Sequence, residues 1–115
     1  MDARDGKVIS YIGFAVKSRK FVRGIYSIKL LKKANLLMVD GEAGNNSLHE
    51  AEILAERLKC PLVETAEPLE NYTHVKNCKL IAITDENLAK GILNNLGGAF
   101  TNKNGGMKND GKERN

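Results

Sequence analysis

No apolar run in this chain exceeds four residues, and one of them, Leu36-Leu37-Met38-Val39, stops sharply at Asp40-Gly41. A run with no polar residue inside it leaves no face for water, so it reads as a strand buried on both faces. Further short strands read at 20–23, at 62–64 or 62–65, and at 80–83, with helical patterns between them. Alternating helices and strands imply a three-layer α/β/α sandwich built on a small mixed four-stranded sheet. At least one parallel, right-handed β-α-β crossover is expected in it. At 115 residues the chain has room for one core and one domain, placed at 7–97.

The helices follow from spacing. Val8, Ile9, Ile12, Ala15 and Val16 form a stripe over 7–19, which Tyr11 and Phe14 widen. Gly13 weakens that helix by roughly 1 kcal/mol relative to Ala, which suggests a neighbouring element approaching closely. Ile25, Ile28, Leu30 and Leu31 give a second helix ending near Ala34. Ser47 and Glu50 have capping-box spacing, so a third helix is expected to start at Ser47, after a loop over 41–46. Leu48, Ala51, Leu54, Ala55 and Leu58 continue its apolar face until Cys60-Pro61 ends it. One helical turn is expected within 68–76. Thr84-Asp85 supplies the N-cap of a last helix over 87–96, which Gly97-Gly98 terminates. Residues 1–6 read as a frayed lead-in. Residues 98–115 hold almost nothing apolar after Phe100, cannot offset the entropy of ordering, and are expected to be disordered.

Charge is distributed unevenly. The net charge is only +4, yet residues 17–33 carry Lys17, Arg19, Lys20, Arg23, Lys29, Lys32 and Lys33, and no acid occurs between Asp5 and Asp40. Most of the acids crowd into 40–70 instead. A layout of this kind suits a domain that meets nucleic acid with one face. Gly24 sits in the middle of the basic stretch, where the short strand gives way to the second helix. Phosphate would be drawn there by point charge and by unpaired backbone N–H groups together. The plainer alternative is a solvated helix face. No apolar run approaches the length of a membrane span, and the opening MDARDGK is unlike a secretory leader. The two cysteines are therefore expected as reduced thiols in the cytoplasm.

Other chemistry finds little support. Gly41-Glu42-Ala43-Gly44 lies between a strand and a helix, but it lacks the Lys and Ser/Thr of a phosphate loop, and Asp40 and Glu42 would repel phosphate. Asp40 with Thr84-Asp85 lacks the earlier acidic pair with which a phospho-acceptor site holds its divalent cation. Cys60, Cys78, His49 and His74 match no closed zinc-site spacing, and a Cys that opens a strand is commonly a small buried hydrophobe. No catalysis, metal or cofactor is expected.

Taken in order, several segments resemble the L-seven-Ae family of ribosomal kink-turn RNA-binding proteins and its small bacterial relatives. They are ISYIGFAVKSRKFVRG, ANLLMVDGEAGNNS, Cys60-Pro61-Leu62-Val63, and KLIAITD at 79–85 followed by Leu88-Ala89-Lys90. The resemblance covers about residues 7–97. It implies the same α/β/α fold and an RNA contact that opens at Gly24. The family pattern there is Gly-x-Asn-Glu with a Lys on the next turn. This chain has Tyr26 at the Asn position, Ser27 at the Glu position, and Lys29 one place early. The Asn and Glu positions read the sheared base pairs of the kink, so only a limited preference for kink-turns is expected. A second contact is implied in the loop before the closing strand, near Val75-Lys76-Asn77. The expected RNA-binding set is thus Lys20, Arg23, Gly24, Ile25, Tyr26, Ser27, Lys29, Lys33, Val75 and Lys76. Its cations would hold phosphates, and Tyr26 could stack on a base. The partner would be ribosomal or other structured RNA, with the ribosome a candidate home, and the protein a cytoplasmic monomer. The alternative is a protein–protein interaction domain that kept the fold and lost specific kink-turn recognition.

Overall fold

The computed structural model describes residues 3–103. Its elements run α1 (Ala3–Lys17), β1 (Phe21–Arg23), α2 (Ile25–Lys29), β2 (Leu36–Asp40), α3 (Asn45–Leu58), β3 (Leu62–Thr65), α4 (Glu70–Thr73), β4 (Leu80–Ile83), α5 (Glu86–Leu93) and β5 (Phe100–Asn102). The apolar run of β2 occupies the centre of a mixed sheet in the order β1-β4-β2-β3-β5. β2 pairs parallel with β3, through the α3 crossover, and antiparallel with β4. β1 and β5 close the two edges, both antiparallel to their neighbours.

Strand side chains alternate between faces, and here each face has its own core. Leu36 and Met38 of β2, with Ile81 and Ile83 of β4, pack under Val8, Ile12, Ala15, Ala89 and Ile92 of α1 and α5. Leu37, Val39, Leu80 and Ala82 point the other way, onto Ile28 of α2 and Ala51, Leu54 and Ala55 of α3. Fully burying one Leu, Ile or Met contributes about 1.5–3 kcal/mol. Intrinsic strand propensities span only about 1 kcal/mol in all. Burial on both sides therefore fixes the strands and their register, and the three layers follow.

The sheet has five strands where four were expected. β5 pairs along β3, with Val63 opposite Asn102 and Thr65 opposite Phe100. Phe100 is buried and lies against Tyr72, ring centroids 5.1 Å apart. The expected disorder of 98–115 is thus corrected over 98–103; the remainder of that stretch lies outside the described residues. The lead-in is corrected too, from residue 3. α1 begins at Ala3, and the buried Asp5 carboxylate accepts a hydrogen bond from Ala99 N–H at 3.3 Å. That bond ties the first turn of the chain to the approach to β5.

Helix boundaries shift for local reasons. α3 opens two residues before Ser47, behind Gly44 at φ 91°, and no side chain caps it. The capping box read at Ser47 and Glu50 is therefore not the start of the helix. α5 begins one residue before the expected Asn87, with Asp85 as its N-cap accepting from Leu88 N–H at 2.9 Å. It ends at Leu93, where the Asn95 side chain donates to the Gly91 carbonyl at 2.8 Å. The close approach expected at Gly13 occurs at Gly91. A Cβ at Gly13 would meet nothing within 4 Å, whereas one at Gly91 would overlap the Tyr11 ring across the α1–α5 contact. Among the described residues no helix is long and apolar enough to cross a membrane.

Candidate nucleic-acid interface

β1 hands over to α2 at Gly24, whose φ of 88° and ψ of 143° lie where a Cβ is strained. Its N–H donates to the Leu80 carbonyl at 2.9 Å, and its own carbonyl accepts from Ile28 N–H at 3.0 Å. One residue thus ties the sheet edge to the first turn of the helix. α2 has five residues, far too few to persist alone. Two tertiary contacts hold it. Ile28 is fully buried in the core beneath α3. From α3, the Arg57 guanidinium donates to the carbonyls of Lys29 at 3.0 Å, Leu31 at 3.1 Å and Ile28 at 3.5 Å. The Ile28 carbonyl also accepts from Leu31 N–H at 3.0 Å, so the guanidinium chiefly serves the carbonyls of Lys29, the last residue of α2, and of Leu31 in the turn after it. The helix stops at Lys29 rather than near Ala34, where Arg57 takes over its last acceptors.

Beside the junction opens a cleft of about 200 Å³, lined by Gly24, Ile25, Val39, Leu80, Ser47, Glu50, Asn77 and Lys79. Three separate segments meet there: the β1–α2 junction, the first turns of α3, and the loop leading into β4. Asp40 anchors the meeting point. Its buried carboxylate accepts from Glu42 N–H at 2.7 Å and Leu69 N–H at 3.1 Å, and stands 3.6 Å from Lys79 Nζ. Asn77 takes a left-handed turn at φ 59°, a conformation Asn tolerates better than most residues.

The residues singled out from sequence separate into four groups. Arg23, Gly24, Tyr26, Ser27 and Lys29 are exposed around the junction, with Ile25 half-buried in the cleft wall. The Tyr26 ring is 80% exposed, and Lys29 Nζ lies 5.7 Å from its centroid, in reach of a cation–π contact. Lys76 is exposed on the loop before β4, next to Asn77, while Val75 is half-buried and packs on the core under α1. Lys33 is exposed beyond the end of α2. Lys20 lies apart from all of these. It is at the far end of β1, four extended residues or about 13 Å from Gly24, and it faces Asp85 at 3.8 Å. Sequence reasoning missed Ser47 and Glu50 as cleft residues, and also Lys79 and Arg57. Only the reading of a contact before the closing strand pointed near them.

The thiols sit in apolar surroundings. Burial pushes Cys60 from its ordinary 9.0 up to about 11, against a smaller opposing effect of the Leu37 backbone. Burial also raises Cys78, and its Thr73 hydrogen bond and the Arg23 charge pull it back only in part. Both thiols stay protonated at neutral pH. Among the described residues no three His, Cys, Asp or Glu side chains gather where they could hold a metal ion.

No protein-family model matches the chain, and no curated protein does so either. A solved structure of a protein with unknown function from Bacillus halodurans is similar in fold. Its TM-score is 0.66 at 14% identity, over 76% of this chain and 94% of that one. At that identity the likeness speaks for the α/β fold alone.

Proposed function

We propose that this chain is a non-enzymatic, cytoplasmic RNA-binding module of the L-seven-Ae kind, which takes structured RNA across the β1–α2 junction and the adjoining cleft. The observation that carries the reading is the convergence of two segments expected to touch RNA. The junction at Gly24 and the loop before β4 share one cleft. Arg23 and Lys76 adjoin the lining residues Gly24 and Asn77 in the chain and are exposed, Arg23 opposite Ile81 on the α1–α5 side of the sheet; Tyr26, 80% exposed, and Lys29 follow Ile25 on α2. In this arrangement Arg23, Lys29 and Lys76 hold phosphates, which fix register and supply most of the affinity. Tyr26 stacks on an unpaired base, worth about 1–3 kcal/mol with little sequence preference. Lys29 moves from the ring to the RNA backbone as the base arrives.

The test is a titration of a kink-turn RNA and a plain hairpin at several salt concentrations. Arg23→Ala and Lys29→Ala should each weaken binding to both RNAs and lower the salt slope by about 0.7–0.9. Tyr26→Ala should weaken binding with little change in slope. The kink-turn should be preferred only modestly, and Tyr26→Asn with Ser27→Glu should raise that preference. If Arg23→Ala and Lys29→Ala both leave binding unchanged, the basic stretch is a solvated face and the reading fails.

A further inference from the structure

α2 and α3 lie side by side and run in the same direction. Gly24 and Ile25 share the cleft with Ser47 and Glu50 in the first turns of α3, while Arg57 in its last turn grips the end of α2. This pair carries three of the large hydrophobic side chains that stand exposed: Tyr26, Leu30 and Ile53, at 80, 83 and 52%. Apart from Arg57, which is engaged on the carbonyls at the end of α2, the lysines and acids of the pair are sorted by helix. α2 and the turn after it bring Lys29, Lys32 and Lys33, and α3 brings Glu50, Glu52 and Glu56. Among the described residues these six form no ion pair with one another, and Glu52 meets only His49, at 4.0 Å. Elsewhere Lys20, Lys79, Lys90 and Lys103 each face an acid of this chain.

We propose that the α2–α3 face binds a second copy of this chain as an isologous dimer. Take a two-fold axis parallel to the two helices and running between them. It lays each α2 against the α3 of the other copy and preserves level along the axis. Leu30 then meets Ile53 of the second copy, and the lysines from 29 to 33 meet its Glu52 and Glu56. Each of these contacts is made twice. The other two-fold open to this face, across the helices, sets cations on cations and acids on acids, so charge selects the first. The exposed apolar side chains are covered and the unpaired charges find partners. The expected monomer is set aside by this inference, which does not rest on the RNA reading. Tyr26 and Lys29 lie on the same face, so a second copy and bound RNA would exclude each other.

Sedimentation equilibrium of the protein alone tests this. The mass should climb with concentration from 12.6 kDa toward twice that value, and less so at high salt. A variant with Lys29→Glu, Lys32→Glu and Lys33→Glu, and another with Glu52→Lys and Glu56→Lys, should each remain at 12.6 kDa alone. Mixed in equal amounts they should recover the doubled mass, because both contacts are restored. Circular dichroism checks their folding, and Leu30→Ser, at a site open to solvent, gives a milder route to the monomer. Three results would overturn the proposal: a wild-type mass that stays at 12.6 kDa across the concentration range, self-association of either charge-reversed variant as strong as wild type, or a mixture of the two that stays monomeric.

Discussion

Replacing Arg57 by Met isolates what positions α2. Met keeps most of the apolar stem and removes the guanidinium. Two of the bonds lost are well formed, at 3.0 and 3.1 Å, and the third, at 3.5 Å, is at the limit and adds little. Bonds from a charged donor contribute about 1.5–3 kcal/mol when buried and nearer 0.5–1 when water competes. The two good bonds are exposed, so the loss should be about 1–2 kcal/mol in all. For a domain of this size that lowers Tm by roughly 4–8 °C per kcal/mol. Urea titration gives the stability, and amide exchange should quicken most at Leu30 and Leu31, whose N–H groups close the end of α2. If RNA binds as proposed, its affinity should fall because the junction loosens, while the salt slope stays as in wild type, since Arg57 is engaged with backbone carbonyls. A slope reduced by a full phosphate contact would mean Arg57 touches RNA directly. Unchanged stability and exchange together would mean that Ile28 alone holds the helix, which would refute the reasoning.

Phe100→Ala should cost about 3–5 kcal/mol, because it empties a core site beside Tyr72 and frees β5; a loss under about 1 kcal/mol in urea titration would show β5 adds little. Ser47→Ala should change stability by less than about 0.5 kcal/mol, since α3 starts behind Gly44 with no side-chain cap; a loss near 1 kcal/mol would restore Ser47 as a cap. Cys60 is protonated up to about pH 11 in the folded protein and only to its ordinary 9.0 when unfolded. Unfolding therefore releases a proton between those values, and stability should fall as pH rises from 9 to 11. Cys60→Ala should flatten that limb of a stability–pH profile, and an unchanged limb would argue against the raised value.

Four apolar residues in a row at 36–39 admit no wet face, so the sequence by itself called for a sheet covered on both sides and for helices to cover it; that the strand at 80–83 is buried on both faces as well was added by the structure. It also marked Gly24 as the place where the cationic stretch changes from extended to helical, and the structure added that φ there is 88°, where a Cβ is strained. β5 was illegible because three residues with one buried aromatic cannot display a period of two; its strand pairing and the Phe100 contact come from β3 and Tyr72. The Asp5–Ala99 bond spans 94 positions, and no local pattern encodes it. Ser47 and Glu50 satisfied a spacing rule, yet a left-handed glycine ahead of them opened the helix and left both facing the cleft. Lys20 was grouped with Gly24 by closeness in sequence, and an extended strand carried it to the opposite end of the sheet edge. Lys79 and Glu50 are far from Gly24 in the chain and share a cleft with it only because β4 pairs beside β1 and the α3 crossover lies over β2. Periodicity reports which face of an element is buried, and that much is local. Which ends of which elements meet depends on strand order, and strand order is settled only when the whole core closes.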